Sequence, residues 1–146
     1  MPYSRYNPQY NQGRLRTTLQ LLGIDYYYLG TELGGHPADP TCYRHHTIPT
    51  KGSDTVREVD YVEVMKRLWF IQGIQHLLEL ATEKITCILC SERDPSHCHR
   101  QHLIASYLLE HYPEVQIRHI LADGSEIGAK SLLSTPGATP AGQLSS

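Results

Sequence analysis

Cys90, Arg93, His97, Cys98, His99 and Arg100 fall within eleven residues, in the stretch CILCSERDPSHCHR from Cys87 to Arg100. Two thiols, two imidazoles and two guanidiniums in so short a span point to thiolate chemistry. A thiolate is a nucleophile, and a nearby cation or helix start lowers the pKa at which it forms. Cys90 is the better nucleophile candidate, because the end of a strand can present it to a cleft. Cys98 reads as a resolving partner or as a second, packing thiol. His99, and after it His97, suit general acid or base work, since imidazole titrates near neutrality. The plain alternative is that both cysteines are small buried hydrophobes, the common fate of a free thiol. Cys87 reads as core, and Cys42 has no assigned role.

The arginines of this stretch suggest an anion site. Asp94 followed by Pro95 reads as a helix N-cap and first helical residue, and a helix start offers free N–H groups to an anion. Arg93 and Arg100, joined by Arg5 from the N-terminal loop, would present planar donors to a phosphate, sulfate or carboxylate. The alternative for Arg100 is to anchor a carboxylate such as Glu92. Cys90 and Arg100 lie ten positions apart, so this is not the short C-x5-R cradle of cysteine phosphatases. Metal binding is not expected: Cys90-x7-Cys98 lacks the C-x2-C spacing of structural zinc sites. Successive helical residues also point about 100° apart, which would keep Cys98 and His99 from one ion. No cofactor is expected. His45-His46 reads as part of a solvated loop, with substrate contact as the alternative. Tyr3, Tyr6, Tyr10 and the Tyr26–Tyr28 run beside Arg5 and Arg14 read as packing, with base stacking as the alternative.

The elements that would position these residues alternate. A helix from Gln12 to Leu22 stops at Gly23, and Ile24 to Leu29 reads as a strand. Glu32 to Thr55 is a long irregular segment, of the kind that is often functional. A helix returns near Asp60 and runs to Ala81, with Gly73 marking a close packing contact or a bend. Ile85 to Leu89 reads as a buried strand. The helix opened at Pro95 buries Leu103, Ile104, Tyr107 and Leu108 and ends before Pro113. Val115 to Leu121 reads as the last strand, closed by Asp123-Gly124. This order predicts an α/β three-layer sandwich with a small parallel sheet, in one domain over 1–130. Residues 131–146, rich in Ser, Thr, Pro, Gly and Ala, are expected to be a disordered tail.

The whole chain narrows the setting. A length of 146 residues suits a single core. The formal charge of −2 conceals nine arginines against four lysines, which favours forked contacts without the basicity needed for wholesale binding to a nucleic-acid backbone. No apolar run reaches the length of a membrane span, and no signal peptide opens the chain. The four cysteines are therefore expected to be reduced thiols in the cytoplasm rather than a disulfide framework.

Three motifs resemble those of the uncharacterised bacterial and archaeal DUF488 family. Ser4-Arg5-Tyr6-Asn7-Pro8-Gln9-Tyr10-Asn11 matches its S-R-x-N-P-x-F/Y-N loop, and Leu33-Gly34-Gly35 its L-G-G. Cys90-Ser91-Glu92-Arg93-Asp94-Pro95-Ser96-His97-Cys98-His99-Arg100 matches its C-x-E-x-D-P-x-x-C-H-R. His119-Ile120 and Asp123-Gly124 match its closing strand, so the resemblance runs from Pro2 to Gly124. It implies an α/β domain without an agreed activity, and it adds Asn7 to Arg5 as a ligand-binding candidate. The family ordinarily begins with a strand ending in G-H-S, a helix, and a strand ending in D-V-R, and none of these is present. A late start or a truncated product is the expectation. The alternative is a minimal version that covers its exposed sheet edge by forming a homodimer.

Two functions follow from these residues. The first is a small enzyme with a cysteine thiolate, from Cys90 or Cys98 with His99, and an anion pocket of Arg5, Asn7, Arg93, His97 and Arg100. Its chemistry would involve sulfur, phosphate or a nucleotide, and its partner a small anionic ligand. The second is a non-catalytic domain that binds a nucleotide or nucleic acid through the same pocket. No membrane partner is expected.

Overall fold

The computed structural model describes residues 5–49 and 58–133. A 3-10 turn, Pro8–Tyr10, leads into helix α1, Gln12–Leu21. Gly23, at φ +72°, ends α1, and the Ile24 N–H returns to the Leu19 carbonyl at 2.9 Å, a glycine-terminated helix end. The chain continues through α2, Gly30–Leu33, and a 3-10 turn, Pro40–Cys42. Tyr43 then forms an isolated antiparallel bridge with Val59. Helices α3, Tyr61–Met65, and α4, Leu68–Glu83, follow. The Asp60 carboxylate caps α3, accepting from the Val62 and Glu63 N–H groups.

The helix expected from Asp60 to Ala81 forms as two, α3 and α4, broken at Lys66 and Arg67. Phe70, Ile74 and Leu77 recur at helical spacing and are buried, facing Leu103, Ile104 and Leu108 across one core. Phe70 meets the Tyr107 ring edge-on, with centroids 5.1 Å apart, the arrangement aromatic quadrupoles favour. Gly73 is the expected close contact: a Cβ there would lie 2.6 Å from Glu32 Cβ and 2.9 Å from Leu33 Cδ2. Its bare backbone lets α2 lie against α4.

The three-layer sandwich is not what forms. Helices dominate, and the described residues hold a single two-stranded antiparallel sheet. It pairs β1, Arg118–Ile120, with β2, Glu126–Gly128, in the register His119 opposite Ile127. β1 lies within the expected Val115–Leu121 strand, and Gly124, at φ +83°, sits between the strands. Among the described residues the expected strands at 24–29 and 85–89 do not pair with anything, and no strand precedes α1. The physical reason is that a helix satisfies its own backbone groups, whereas a strand needs a neighbour for every N–H and C=O. Both segments are irregular, and only part of each meets the core: Leu29 and Ile88 pack against it, whereas Ile85 is fully exposed and Leu89 and Ile24 are at least half exposed. Cys87, expected in the core, is exposed for the same reason. Lys84 and Asp25, at the roots of the two segments, form an ion pair, so they lie near each other without a ladder.

The helix expected from Pro95 is broken. Pro95–His97 is one 3-10 turn, and Cys98 is extended at φ −116°, ψ 143°. A π-helical turn, Arg100–Ala105, then runs into α5, Ser106–His111. The wider turn carries the Ser106 N–H back to the Gln101 carbonyl and turns Gln101, Leu103, Ile104 and Ala105 all inward. Such turns are rare and are frequent at functional sites. A last helix, α6, spans Ala129–Leu133, so the first residues of the expected tail are helical; 134–146 lie outside the described residues. No helix among the described residues is long and apolar enough to cross a membrane.

Candidate active site: a cysteine pair and a histidine

The loop between Leu89 and the π turn folds on its own carboxylates. The Glu92 side chain accepts from the Arg93 N–H at 2.8 Å and the Asp94 N–H at 3.3 Å. The Asp94 side chain accepts from the Ser96 N–H at 2.8 Å and hydroxyl at 2.7 Å. Asp94 is thus the expected cap, and Pro95 starts the turn. These bonds pin both ends of the loop, and Cys90 and Cys98 are brought together across it.

Cys90 Sγ and Cys98 Sγ are 3.5 Å apart. The His99 Nδ1 lies 3.7 Å from each sulfur. The extended backbone at Cys98 is what allows this. Were Cys98 and His99 successive helical residues their side chains would diverge, so the expectation that they cannot face one point fails on that premise. Gly35, of the L-G-G segment, makes room for the ring: a Cβ there would be 2.8 Å from His99 Nδ1 and 2.9 Å from its Cγ.

Both sulfurs accept backbone hydrogen bonds two residues on, Cys90 from Glu92 N and Cys98 from Arg100 N, each at 3.4 Å. Arg100 donates from its Nε to Cys98 Sγ at 3.2 Å and from its Nη2 to the Glu92 carbonyl at 2.7 Å. The guanidinium therefore braces the loop and the sulfur. It does not pair with the Glu92 carboxylate, as the alternative had it. The Cys98 thiol is held far below its ordinary range by the hydrogen bond with Cys90, then by His99 and Arg100, against the cost of burial. Cys90 is pushed up by the same shared proton and by burial. Both shifts share one cause, the hydrogen bond between the sulfurs, and their direction favours negative charge on Cys98 over Cys90. Exposure runs the other way: Cys98 is buried and Cys90 only partly so.

The remaining expected residues are spread out. His97 is exposed and pairs with the Asp94 carboxylate at 3.3 Å, away from the sulfurs. Arg93 is exposed on the loop, and Arg5 and Asn7 are exposed beside the first turn. The N–H groups expected to greet an anion at Asp94-Pro95 are already occupied by Asp94 and Glu92. His45 and His46 are exposed. Of the tyrosines, Tyr26 lies under the Arg16 guanidinium, 5.7 Å from ring centroid to Cζ.

Three residues at the site escape sequence reasoning. Tyr61, the first residue of α3, has a buried hydroxyl with no hydrogen-bond partner. Burial raises its pKa well above the phenol range, and the charge of Cys98 and then Cys90 raises it further, so the hydroxyl lies within electrostatic range of the sulfurs. Gln101 is buried behind Arg100; it donates to the Ala129 carbonyl at 3.2 Å and accepts from His119 Nε2 at 2.6 Å. Burial, then Arg100, lowers the pKa of His119, so it is the neutral donor to Gln101. Gln101, between Arg100 and His102, and Tyr61 carried no signal in the sequence, and His119 carried only its place in the closing-strand motif.

The family model described as Domain of unknown function DUF488 matches residues 1–108, a span that contains Gly35, Tyr61 and the whole cysteine loop, and the chain belongs to that family. No curated protein and no solved structure matches the chain.

Proposed function

We propose that this member of the DUF488 family is a thiolate enzyme of sulfur chemistry in which Cys90 and Cys98 act as a dithiol. The observation that supports it is the 3.5 Å approach of the two sulfurs with Arg100 on Cys98. Closing a disulfide needs the sulfurs to move to about 2.05 Å, a small step from this spacing. Cys90, the more accessible thiol, attacks a substrate disulfide as its shared proton passes to Cys98. One substrate half leaves as a thiolate, and the other stays on Cys90 as a mixed disulfide. His99 Nδ1, equally near both sulfurs, takes the proton from Cys98. Cys98 then attacks Cys90 Sγ, expelling the second half as a thiolate. The dithiol is oxidised to a disulfide and the substrate disulfide is reduced to two thiols.

Arg100 serves the thiolate, so Arg93, exposed on the same loop, is the cation left for an anionic group on the substrate. A working dithiol needs a reducing compartment, in keeping with a cytoplasmic setting. The test is to expose the chelator-treated, reduced protein to a small disulfide and map the products by mass spectrometry. A Cys90–Cys98 disulfide should form, and Cys98→Ser should stop at a mixed disulfide on Cys90. Oxidation confined to Cys42 or Cys87, or identical products from Cys90→Ser and Cys98→Ser, would exclude this function.

A further inference from the structure

The same three donor atoms carry a second meaning that does not depend on disulfide exchange. We infer that Cys90 Sγ, Cys98 Sγ and His99 Nδ1 form a three-ligand site for one Zn2+ ion. Zinc bonds thiolate at about 2.3 Å and imidazole at about 2.0–2.1 Å. Meeting at a tetrahedral angle, such bonds set the sulfurs about 3.8 Å apart and each sulfur about 3.6 Å from the nitrogen. The structure has 3.5 Å between the sulfurs and 3.7 Å from each to Nδ1. The three atoms already stand near the corners of one face of such a tetrahedron. Two soft thiolates and an imidazole select zinc over magnesium or calcium, which take oxygen.

The surroundings fit ligand sulfurs. Each sulfur accepts an N–H two residues further along, and Cys98 also accepts Arg100 Nε, so remaining lone pairs would be bonded, as outer-shell donors do at metal centres. Two thiolates would neutralise the ion. The bare Gly35 backbone lies close against the His99 ring. Three protein ligands leave a fourth position, the pattern of catalytic rather than structural zinc. The buried Tyr61 hydroxyl lacks a hydrogen-bond partner and lies within electrostatic range of both sulfurs; a water or substrate atom reaching it from the fourth position would satisfy that group. With zinc in place both sulfurs are ligands, so the ion would hold the dithiol silent and its removal would release it.

The test uses the full chain, reduced and stripped by a chelator, then titrated with Zn2+ and, as a coloured stand-in, Co2+. One ion per chain should bind, and Co2+ should give thiolate-to-cobalt charge-transfer absorption with the intense visible bands of tetrahedral coordination. Cys98→Ser and His99→Ala should each weaken binding at least tenfold, while Cys42→Ala and Cys87→Ser retain it. Circular dichroism on each variant separates lost ligands from lost fold; Cys90→Ser, at the more accessible sulfur, serves if Cys98→Ser unfolds. Cobalt binding without sulfur absorption, or zinc binding unmoved in both Cys90→Ser and His99→Ala, would overturn the site. Disulfide exchange is measured separately on stripped protein, so its failure and that of zinc binding are told apart.

Discussion

Asp39-Pro40-Thr41 and Asp94-Pro95-Ser96 fold into 3-10 turns of one design, and each leads to a buried cysteine near an arginine. In both, the aspartate accepts from the N–H and hydroxyl of the residue two positions on: Thr41 at 2.9 and 2.6 Å, Ser96 at 2.8 and 2.7 Å. Cys42 is the last residue of the first turn, beside Arg67, whereas Cys98 follows the second, Pro95–His97, beside Arg100. Their chemistry diverges because of what else is near. Arg67 faces the Asp39 carboxylate at 3.2 Å and the Glu63 carboxylate at 3.8 Å, so its charge is largely claimed. Burial raises the Cys42 pKa, and both carboxylates add to that against Arg67. Arg100 has no carboxylate partner among the ion pairs of the described residues and gives its Nε to sulfur. A buried cysteine and an arginine are thus not enough for a reactive thiolate. At Cys98 the leading difference is the second thiol, Cys90, with His99 and Arg100 behind it; at Cys42 Arg67 also reaches the sulfur but is outweighed by burial and the two carboxylates.

The largest expected contrast is between the two cysteines themselves. Cys98→Ala should abolish completed disulfide exchange, since nothing remains to resolve the mixed disulfide on Cys90. Cys42→Ala should leave exchange intact and lower stability by about 1 kcal/mol, the scale of a small deleted core group. Exchange rates and urea midpoints on both variants check this, and equal loss of exchange in the two would dissolve the comparison.

Next is the room made for His99. Gly35→Ala places a methyl 2.8 Å from Nδ1, so the ring must shift off the point equidistant from the sulfurs. Displaced supporting groups typically cost metal affinity about 10–100-fold, and a competition titration with a coloured chelator should read that loss. The Cys42 turn has no ring to displace, and its environment should not change. Unaltered zinc affinity would mean that the ring position is not what Gly35 secures.

The cysteine loop was legible in the sequence because its residues are local: Cys90, Cys98 and His99 lie within ten residues, and Asp94-Pro95 is a turn signal with a steric cause. The apolar face of α4 and the role of Gly73 were legible through helical spacing. The sheet was not, because Ile85–Leu89 has strand-like side chains but strand formation depends on a partner the segment itself cannot specify. The placement of Cys98 and His99 was hidden by the assumption of an unbroken helix; one extended residue and a π turn reverse which way the two side chains point. Gly35, Tyr61 and His119 join the site from distant positions, by packing that no spacing rule encodes.

A smaller effect lies behind Cys98, where the buried Gln101–His119 pair has no counterpart behind Cys42. His119 is held below the ordinary imidazole range by burial first and Arg100 second. The unfolded chain binds a proton at this residue below about pH 6.5, while the folded chain does not until the pH is lower. More protons are then bound unfolded, so stability falls as pH drops through this window and the loss levels off below the folded pKa. His119→Gln should remove that part of the acid-side slope. Urea midpoints near neutrality and about one pH unit below the imidazole value, compared between wild type and variant, measure it. Parallel slopes would show that His119 titrates alike in both states.

The smallest expected change is the one that makes Cys42 more like Cys98. Asp39→Asn keeps a side chain able to cap the turn but removes the charge nearest Arg67, and Glu63→Gln removes the other. Both carboxylates raise the Cys42 pKa, so the double variant should titrate at lower pH than the parent. The shift should be small, because these groups are partly solvated and water screens them, and burial, the leading cause, is untouched. Thiolate absorbance in a Cys87→Ser/Cys90→Ser/Cys98→Ser background isolates Cys42, and Asp94→Asn serves as the cap-only control. If freeing Arg67 leaves the Cys42 titration where it was, commitment of the arginine is not the difference between the two turns. The second thiol and the histidine would then account for the Cys98 thiolate without it.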